Sequence, residues 1–473
     1  MKCKALNKQL NDSTFFIIFA VVMELPVAFI EQIKALLPNE HEAFFKAMDE
    51  PSPVSVRLNN KVAITPTYPQ VPHCQTGYYL PNRPVFTLDP WFHAGVYYVQ
   101  EAGSMYLEQV VRKYLFGSEI IIDSPNHQIT KSPKRSEFRA LDLCAAPGGK
   151  STHLASLLGD DSLLISNEVM PQRAHILAEN ATKWGYGNMA VTNNRPADFG
   201  KLAGYFDLIL TDVPCSGEGM FRKDEKAIED WSPAYVLECA ERQRSILTDV
   251  WPALKQDGLL IYSTCTFNKA ENEDNIAWIA QELGADILES RHFYFHTDQS
   301  EGLFMAALRK TAPAGSTRIK DVKSKGSISQ NKNILIDPEH WCLKEDKDLI
   351  YALPKAFEAD FTLLDKQLRW VKKGMGIATI KGKNSQPHID LALSRHLNPS
   401  ATTSAEIDRI TALHYLKGES ISLPDAPTGY LLLTHRGVPL GWCKNIGNRC
   451  NNLYPDAWRI RMNIPDTLCT LPF

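Results

Sequence analysis

From Phe138 onward the chain alternates between two hydrophobic patterns. Nearly unbroken apolar runs ("RALDLC", "SLLISNE", "MAVT", "FDLILTD" and "GLLIYSTC") are separated by longer amphipathic stretches. Those stretches read "KSTHLASLL", "PQRAHILAENATKW", "PAYVLECAERQRSILTDVWPALK" and "NKAENEDNIAWIAQEL". Strands without in/out alternation are buried on both faces, and helical crossovers between them make the sheet parallel. The pattern predicts a doubly wound α/β domain over residues 111–310, ending with "GLFMAALRK" (Gly302–Lys310). Upstream, residues 24–110 predict a small α+β domain with a helix over Val27–Leu37 and short strands such as Ser55–Leu58. Residues 117–137 read as an exposed insertion, 311–332 as a basic flexible linker, and 333–473 as a further region.

Length changes this picture little, since 473 residues call for two or three domains. Charge changes it more. The net charge of −3 gives no whole-protein signal for nucleic acid. Across Arg309–Lys332, however, seven Lys/Arg face one Asp, and from Lys372 to the end twelve Lys/Arg face seven Asp/Glu. The basic character lies C-terminal, where a solvated face and an RNA-binding surface both fit it. Ten cysteines without a C-x2-C pair give neither a disulfide framework nor a zinc site. Free thiols in the cytoplasm are expected, with no metal. At the N-terminus, three lysines precede the apolar run Phe15–Met23, which is too short to span a bilayer and has no small-x-small cleavage site after it. Residues 1–23 are expected to be a dispensable or mis-started extension, with Met23 the natural start and no membrane partner.

"ALDLCAAPGGKSTHLA" predicts strand, glycine turn and helix. Gly148 and Gly149 let the backbone approach a ligand, and the helix beginning near Lys150 points its free N–H groups at it. A phosphate loop would need glycine where Cys144 stands, and no G-x-G-x-x-G is present. A nucleoside cofactor without phosphates remains, namely S-adenosyl-L-methionine. Glu168, at the end of the next strand, stands where an acid accepts the ribose hydroxyls in this architecture. Its bland reading is a carboxylate near a helix N-terminus.

Asp212 and Cys215 follow the fourth strand and Cys265 the fifth, at the sheet edge where ligands bind. One buried thiol is ordinary; two at neighbouring strand ends point to chemistry. Carbon 5 of a cytosine or uracil is too weak a nucleophile to take a methyl group from a sulfonium. A thiolate adding to carbon 6 makes it one. A second thiol serves as base or assists release, and Asp212 at N3 would stabilise the adduct.

"LDLCAAPGGKS", "DVPCSGEG" and "YSTCTFNKAENE" resemble the signature motifs of the RNA cytosine-5 methyltransferases, with "SVRLN" (Ser55–Asn59) and "GVYYVQEAGSM" (Gly95–Met105) upstream. The resemblance covers roughly Pro51–Lys310. It implies a Rossmann-like S-adenosylmethionine-dependent methyltransferase domain, with Cys265 as nucleophile, Cys215 in product release, and Asp212 and Lys150 at the catalytic pocket. The implied cofactor ligands are Cys144, Ala145, Ala146, Pro147, Gly148, Gly149, Lys150, Glu168 and Asp212. "GEGMFRKD" and the C-terminal "GVPLGWCKNIGNR" are most similar to the bacterial branch acting on small-subunit ribosomal RNA. That branch implies an accessory RNA-binding domain at 24–110, a PUA-like, β-rich RNA-binding lobe at 333–473, and a target cytosine near the decoding site of 16S rRNA. A single copy of the chain is the expected acting unit. One departure stands out. The family's usual acid after the third strand is replaced here by "VTNNRPADFG", with Arg195 at its position and Asp198 three residues on. A shifted loop presenting Asp198 and a backbone substitute are both open.

Two readings from other classes compete: a catalytically silent ribosome-assembly factor, and a nitrogen methyltransferase acting on protein or a small molecule. The intact thiols and glycine turn argue against the first. The second needs no paired thiols and leaves the basic C-terminal region unexplained. Within the RNA class, transfer RNA is the rival substrate.

Overall fold

The computed structural model describes residues 25–117, 137–320, 332–382, 384–465, 467 and 471–473. The expectations for residues 1–23, for most of the 117–137 insertion and for half of the 311–332 linker lie outside the described residues.

Two helices, Val27–Leu36 and His41–Met48, open the described chain. They are followed by an antiparallel sheet of β1 (Val54–Leu58), β2 (Gly77–Leu80) and β3 (Tyr97–Val99), with β1 central. The main sheet then takes β4 (Arg139–Asp142), β5 (Leu163–Asn167), β6 (Met189–Thr192), β7 (Phe206–Asp212) and β8 (Leu254–Thr264), all parallel. β9 (Ala285–Phe293) and β10 (Leu303–Lys310) extend it antiparallel beyond β8. The chain fills β4, β5, β6 in one direction and then β7, β8 in the other, so the order reverses between β4 and β7. A crevice at that reversal is the ligand position of open α/β sheets.

The strands read as continuous apolar runs because alternate residues feed two cores. Leu141, Ile165, Ile209 and Leu260 face one side, and Ala140, Leu164, Leu208 and Ile261 the other. Helices Gly149–Leu158 and Pro171–Trp184 cover the second face, and Pro233–Val250 covers the first.

The C-terminal region holds one four-stranded sheet of β11 (Trp341–Asp346), β12 (Leu349–Pro354), β14 (Met375–Lys381) and β15 (Asn384–Pro387). A second contains β16 (Ser404–Glu406), β17 (Gly429–His435), β18 (Val438–Asn445) and β19 (Cys450–Asn452). Between β12 and β14, β13 (Trp370–Lys372) leaves this region and pairs antiparallel with β6, at the far edge of the main sheet. At the start of β4, Arg139 donates to both oxygens of buried Asp360, at 2.5 and 3.3 Å, and the Tyr205 hydroxyl donates to the same carboxylate at 2.6 Å. The β-rich C-terminal lobe and the α/β domain therefore share a sheet and a core. Among the described residues no helix is long and apolar enough to cross a membrane.

Lys61 marks where the parts meet. Its Nζ donates to the carbonyls of Ala94 (2.9 Å), Lys183 (2.6 Å) and Leu393 (2.8 Å), one from each part of the chain. Removing the donor strands three acceptors, each costly to leave unpaired once buried. Lys61→Met is expected to destabilise the protein by about 2–4 kcal/mol. Thermal unfolding checks it, and an unchanged melting temperature would remove Lys61 as a joint.

Candidate active site

β4 ends at Asp142, and the chain turns through Cys144–Gly148 into the helix Gly149–Leu158. Gly148 sits at φ +117°, and a Cβ there would lie 3.2 Å from Leu177 Cδ1, so glycine is required. The turn is tied from behind. Arg173 donates to Ala146 O and Asn180 to Pro147 O, both at 2.8 Å, and Ala145 N–H donates to Asn167 O at 2.8 Å. These ties leave the N–H groups of the helix's first turn for a ligand.

Asp142 is fully buried; one carboxylate oxygen accepts from Ser151 Oγ at 2.5 Å and the other, Oδ1, has no partner. Burial pushes its carboxyl up to about 7, with Asp212 and Glu168 adding to the rise against Ser151 and Lys150. The Cys144 thiol is pushed up by burial and then by Asp142, Asp212 and Glu168. Three carboxylates thus converge on one crevice. Such a crevice repels phosphate and attracts a cation carrying ammonium and sulfonium groups, and the unpartnered Asp142 oxygen is an acceptor for the ammonium. Glu168, buried, accepts Met170 N–H at 2.8 Å and faces Arg173 at 3.3 Å. A carboxylate has about four acceptor sites, so capacity for a ribose diol is left. The donor set fits S-adenosylmethionine.

Across the order reversal, β7 delivers Asp212. Pro214 lacks an N–H and ends the ladder, and β7 gives way to the loop carrying Cys215. β8 delivers Cys265. The two Sγ atoms lie 2.9 Å apart, and Cys265 N–H donates to Cys215 Sγ at 3.3 Å. The Cys215 thiol is pushed well above the ordinary range, first by its hydrogen bond with Cys265 and then by burial. Cys215 is held protonated. Lys150 Nζ is 2.9 Å from Asp212 Oδ1, which also accepts from Ser263 Oγ at 2.7 Å. Burial opposes the Lys150 charge, and Asp212 more than offsets it, with Glu101 and Cys265 contributing. Asp212 keeps a side chain 37% exposed, facing the crevice mouth.

Residues 128–309 match the family described as 16S rRNA methyltransferase RsmB/F; residues 25–102 match the N-terminal domain of 16S rRNA methyltransferase RsmF, and 402–460 the methyltransferase RsmF PUA domain. In these three segments, taken in chain order, the protein is similar to the 16S rRNA methyltransferases of the RsmB/F family. Among its relatives is the ribosomal RNA small subunit methyltransferase F of Aliivibrio fischeri, 29% identical over 91% of this chain and 97% of the relative. The protein of the same name from Klebsiella pneumoniae is 28% identical over 91% and 95%. In fold, the chain is similar to the crystal structure of PH0851 (TM-score 0.52, 22% identity, 60% of this chain and 66% of that one). It is also similar to NSun6 from Pyrococcus horikoshii with SFG (TM-score 0.50, 19% identity, 61% and 98%).

The residues singled out from the sequence as catalytic or cofactor-binding sit at the carboxyl edge of β4, β5, β7 or β8, around one crevice, whereas Arg195 and Asp198 lie after β6. Sequence reasoning passed over Asp142, whose position inside the quoted "LDLC" was the available signal, and Ser263, Glu218 and Glu271 beside the cysteines. It also passed over Arg57 of "SVRLN". That guanidinium is buried, donates to Gln100 Oε1 (2.8 Å) and Thr152 Oγ1 (2.6 Å), and stacks 4.4 Å from the Trp184 ring, tying the N-terminal domain to the cofactor helix. In the loop after β6, Asp198 Oδ2 accepts Arg195 N–H at 3.2 Å and Oδ1 pairs with Lys201 at 3.1 Å, so Asp198 serves as the cap of the helix Pro196–Gly200. The loop is held instead by Arg369, whose O accepts Asn193 N–H and whose N–H donates to Asn194 Oδ1, each at 3.0 Å.

The state of Asp142 gives a pH test. A cationic amine is bound by the ionised carboxylate, and this carboxyl is held near 7. Cofactor affinity is therefore expected to fall as pH drops from 8 to 6, approaching about tenfold per pH unit on the acid side. Asp142→Asn should bind more weakly at pH 8 and lose that slope. Equal slopes in calorimetric titrations of both proteins would show that Asp142 does not meet the cofactor.

Proposed function

We propose that this chain transfers a methyl group from S-adenosyl-L-methionine to carbon 5 of a cytosine in 16S rRNA, near the decoding site, through a covalent adduct on Cys265. The observation that carries this reading is the pair of thiols 2.9 Å apart beside the Lys150–Asp212 ion pair, at the mouth of an acidic crevice.

The Cys265 thiolate adds to carbon 6, and the displaced ring electrons make carbon 5 nucleophilic. Lys150 places a cation beside the thiol that must ionise, and a nearby cation favours thiolate. Asp212 binds at N3, where the adduct's charge develops. The cofactor supplies the methyl group. Carbon 5 takes it, loses its proton to a base, and the C6–S bond breaks, returning the thiolate. Cys215, held protonated, is a poor nucleophile, and its Sγ, 2.9 Å from that of Cys265, is placed to hydrogen-bond the departing thiolate. No metal enters this scheme. The target base must first leave its stack. The PUA match and the basic surplus of the C-terminal region support RNA binding there. We read the acting unit as one copy of the chain in the cytoplasm.

Denaturing gels test the assignment. Cys265→Ala should abolish methyl transfer and every protein–RNA adduct. Cys215→Ala should still attack and methylate, then stall as a slow band that requires both RNA and cofactor. The reverse pattern would exchange the two roles while keeping the reaction. Activity without an adduct in either variant would end the covalent mechanism.

A further inference from the structure

The two cysteine loops each carry a buried glutamate. Glu218 lies three residues after Cys215, and Glu271 six after Cys265. Each bonds to the other loop. Glu218 Oε2 accepts the N–H groups of Phe267 (2.7 Å) and Asn268 (3.1 Å), just past Cys265. Glu271 accepts Ser216 N–H, the residue after Cys215, at 3.0 Å on one oxygen and 3.3 Å on the other. Asn268 Nδ2 reaches both carboxylates, at 3.0 and 2.8 Å. A third strap runs from Gly219 N–H to Cys265 O at 2.9 Å.

The remaining donors are neutral as well. Gln32 Nε2 (3.0 Å) and Trp231 Nε1 (3.1 Å) reach Glu218, and Gln243 Nε2 (2.6 Å) reaches Glu271. Among the described residues no Lys or Arg pairs with either carboxylate. A buried carboxylate without a counter-ion is expensive unless several N–H donors hold it. Packing alone would be met more cheaply by apolar side chains. What these two gain is direction, because each fixes the backbone beside the opposite thiol.

We propose that Glu218 and Glu271 are crossed positioning residues: the carboxylate on the Cys215 loop sets Cys265, and the carboxylate on the Cys265 loop sets Cys215. This deepens the two-thiol reading above and rests on it. Isosteric glutamine is the sharp probe. Every oxygen of both carboxylates faces an N–H donor, so a glutamine must turn its own NH2 against one of them.

The experiment uses the full-length protein, a 16S rRNA transcript and S-adenosylmethionine, with turnover and gel-resolved adduct measured beside the two cysteine variants. Misplacing a reacting group by about an ångström costs on the order of 100-fold. Glu271→Gln should lose about that much turnover while accumulating adduct, as Cys215→Ala does. Glu218→Gln should lose attack and form little adduct, as Cys265→Ala does. Cofactor affinity should stay near wild type in both. If either glutamine variant fails to fold, Glu218→Asp and Glu271→Asp, which keep the charge on a shorter stem, should show the same crossed pattern more weakly. Each glutamate matching the cysteine on its own loop, or both variants losing attack in parallel, would overturn the proposal. Exchanged cysteine roles would exchange the glutamate phenotypes with them and leave the crossing intact; cysteine variants that retain activity without adduct would instead defeat the underlying reading.

Discussion

β7 and β8 run parallel with Asp212 opposite Ser263, and this register decides how closely the loops that follow can approach. Parallel strands end on the same edge of a sheet, so two loops leaving neighbouring ends are near each other before any side chain is chosen. The Ser263–Asp212 hydrogen bond ties that register to the Lys150–Asp212 ion pair. Lys150 in turn belongs to the helix that opens after the β4 turn. One backbone constraint therefore sets the spacing between the cofactor's crevice and the thiols.

The other parts of the chain stabilise these loops instead of forming a separate layer. Phe29 and Phe44 of the first two helices pack edge-on against Phe221 and Phe267, at 4.9 and 5.1 Å between ring centroids. Phe221 and Phe267 follow the two cysteines in sequence, so the N-terminal helices form the back wall of the active-site loops. At the cofactor side, Arg369 and β13 brace the loop after β6. A loop that must hold reactive groups in one geometry needs such support, because loops are otherwise the mobile part of a fold.

Much of this was legible in the sequence. Apolar runs fixed by burial on both faces gave β4 to β8, and the observed Val27–Leu36 and Val54–Leu58 differ from the expected Val27–Leu37 and Ser55–Leu58 by a residue at an end. The site followed because strand ends, a glycine turn and two cysteines are local features whose meeting point is dictated by topology. Three things were not legible. β13 joins a strand far away in the chain, and three residues of edge pairing leave no periodic trace. The stretch "NKAENEDNIAWIAQEL" is a helix only over Glu273–Trp278 before a wider π turn, because Asn268, Glu271 and Asn272 spend their side chains on the cysteine loops. Asp198 offered itself as a cofactor acid, yet an acid three residues into a short helix is equally a cap. Tertiary partners decided the first two cases, and local capping decided the third.

The central claim is that this geometry methylates carbon 5 of a cytosine in 16S rRNA. Bisulfite sequencing or nucleoside mass spectrometry of total RNA, from cells with and without the gene, tests it most directly. The account predicts that a 5-methylcytosine near the decoding site of 16S rRNA disappears with the gene and returns with the wild-type chain but not with Cys265→Ala. Unchanged 16S rRNA together with a methylcytosine lost from transfer RNA, or no change in any RNA, would contradict it.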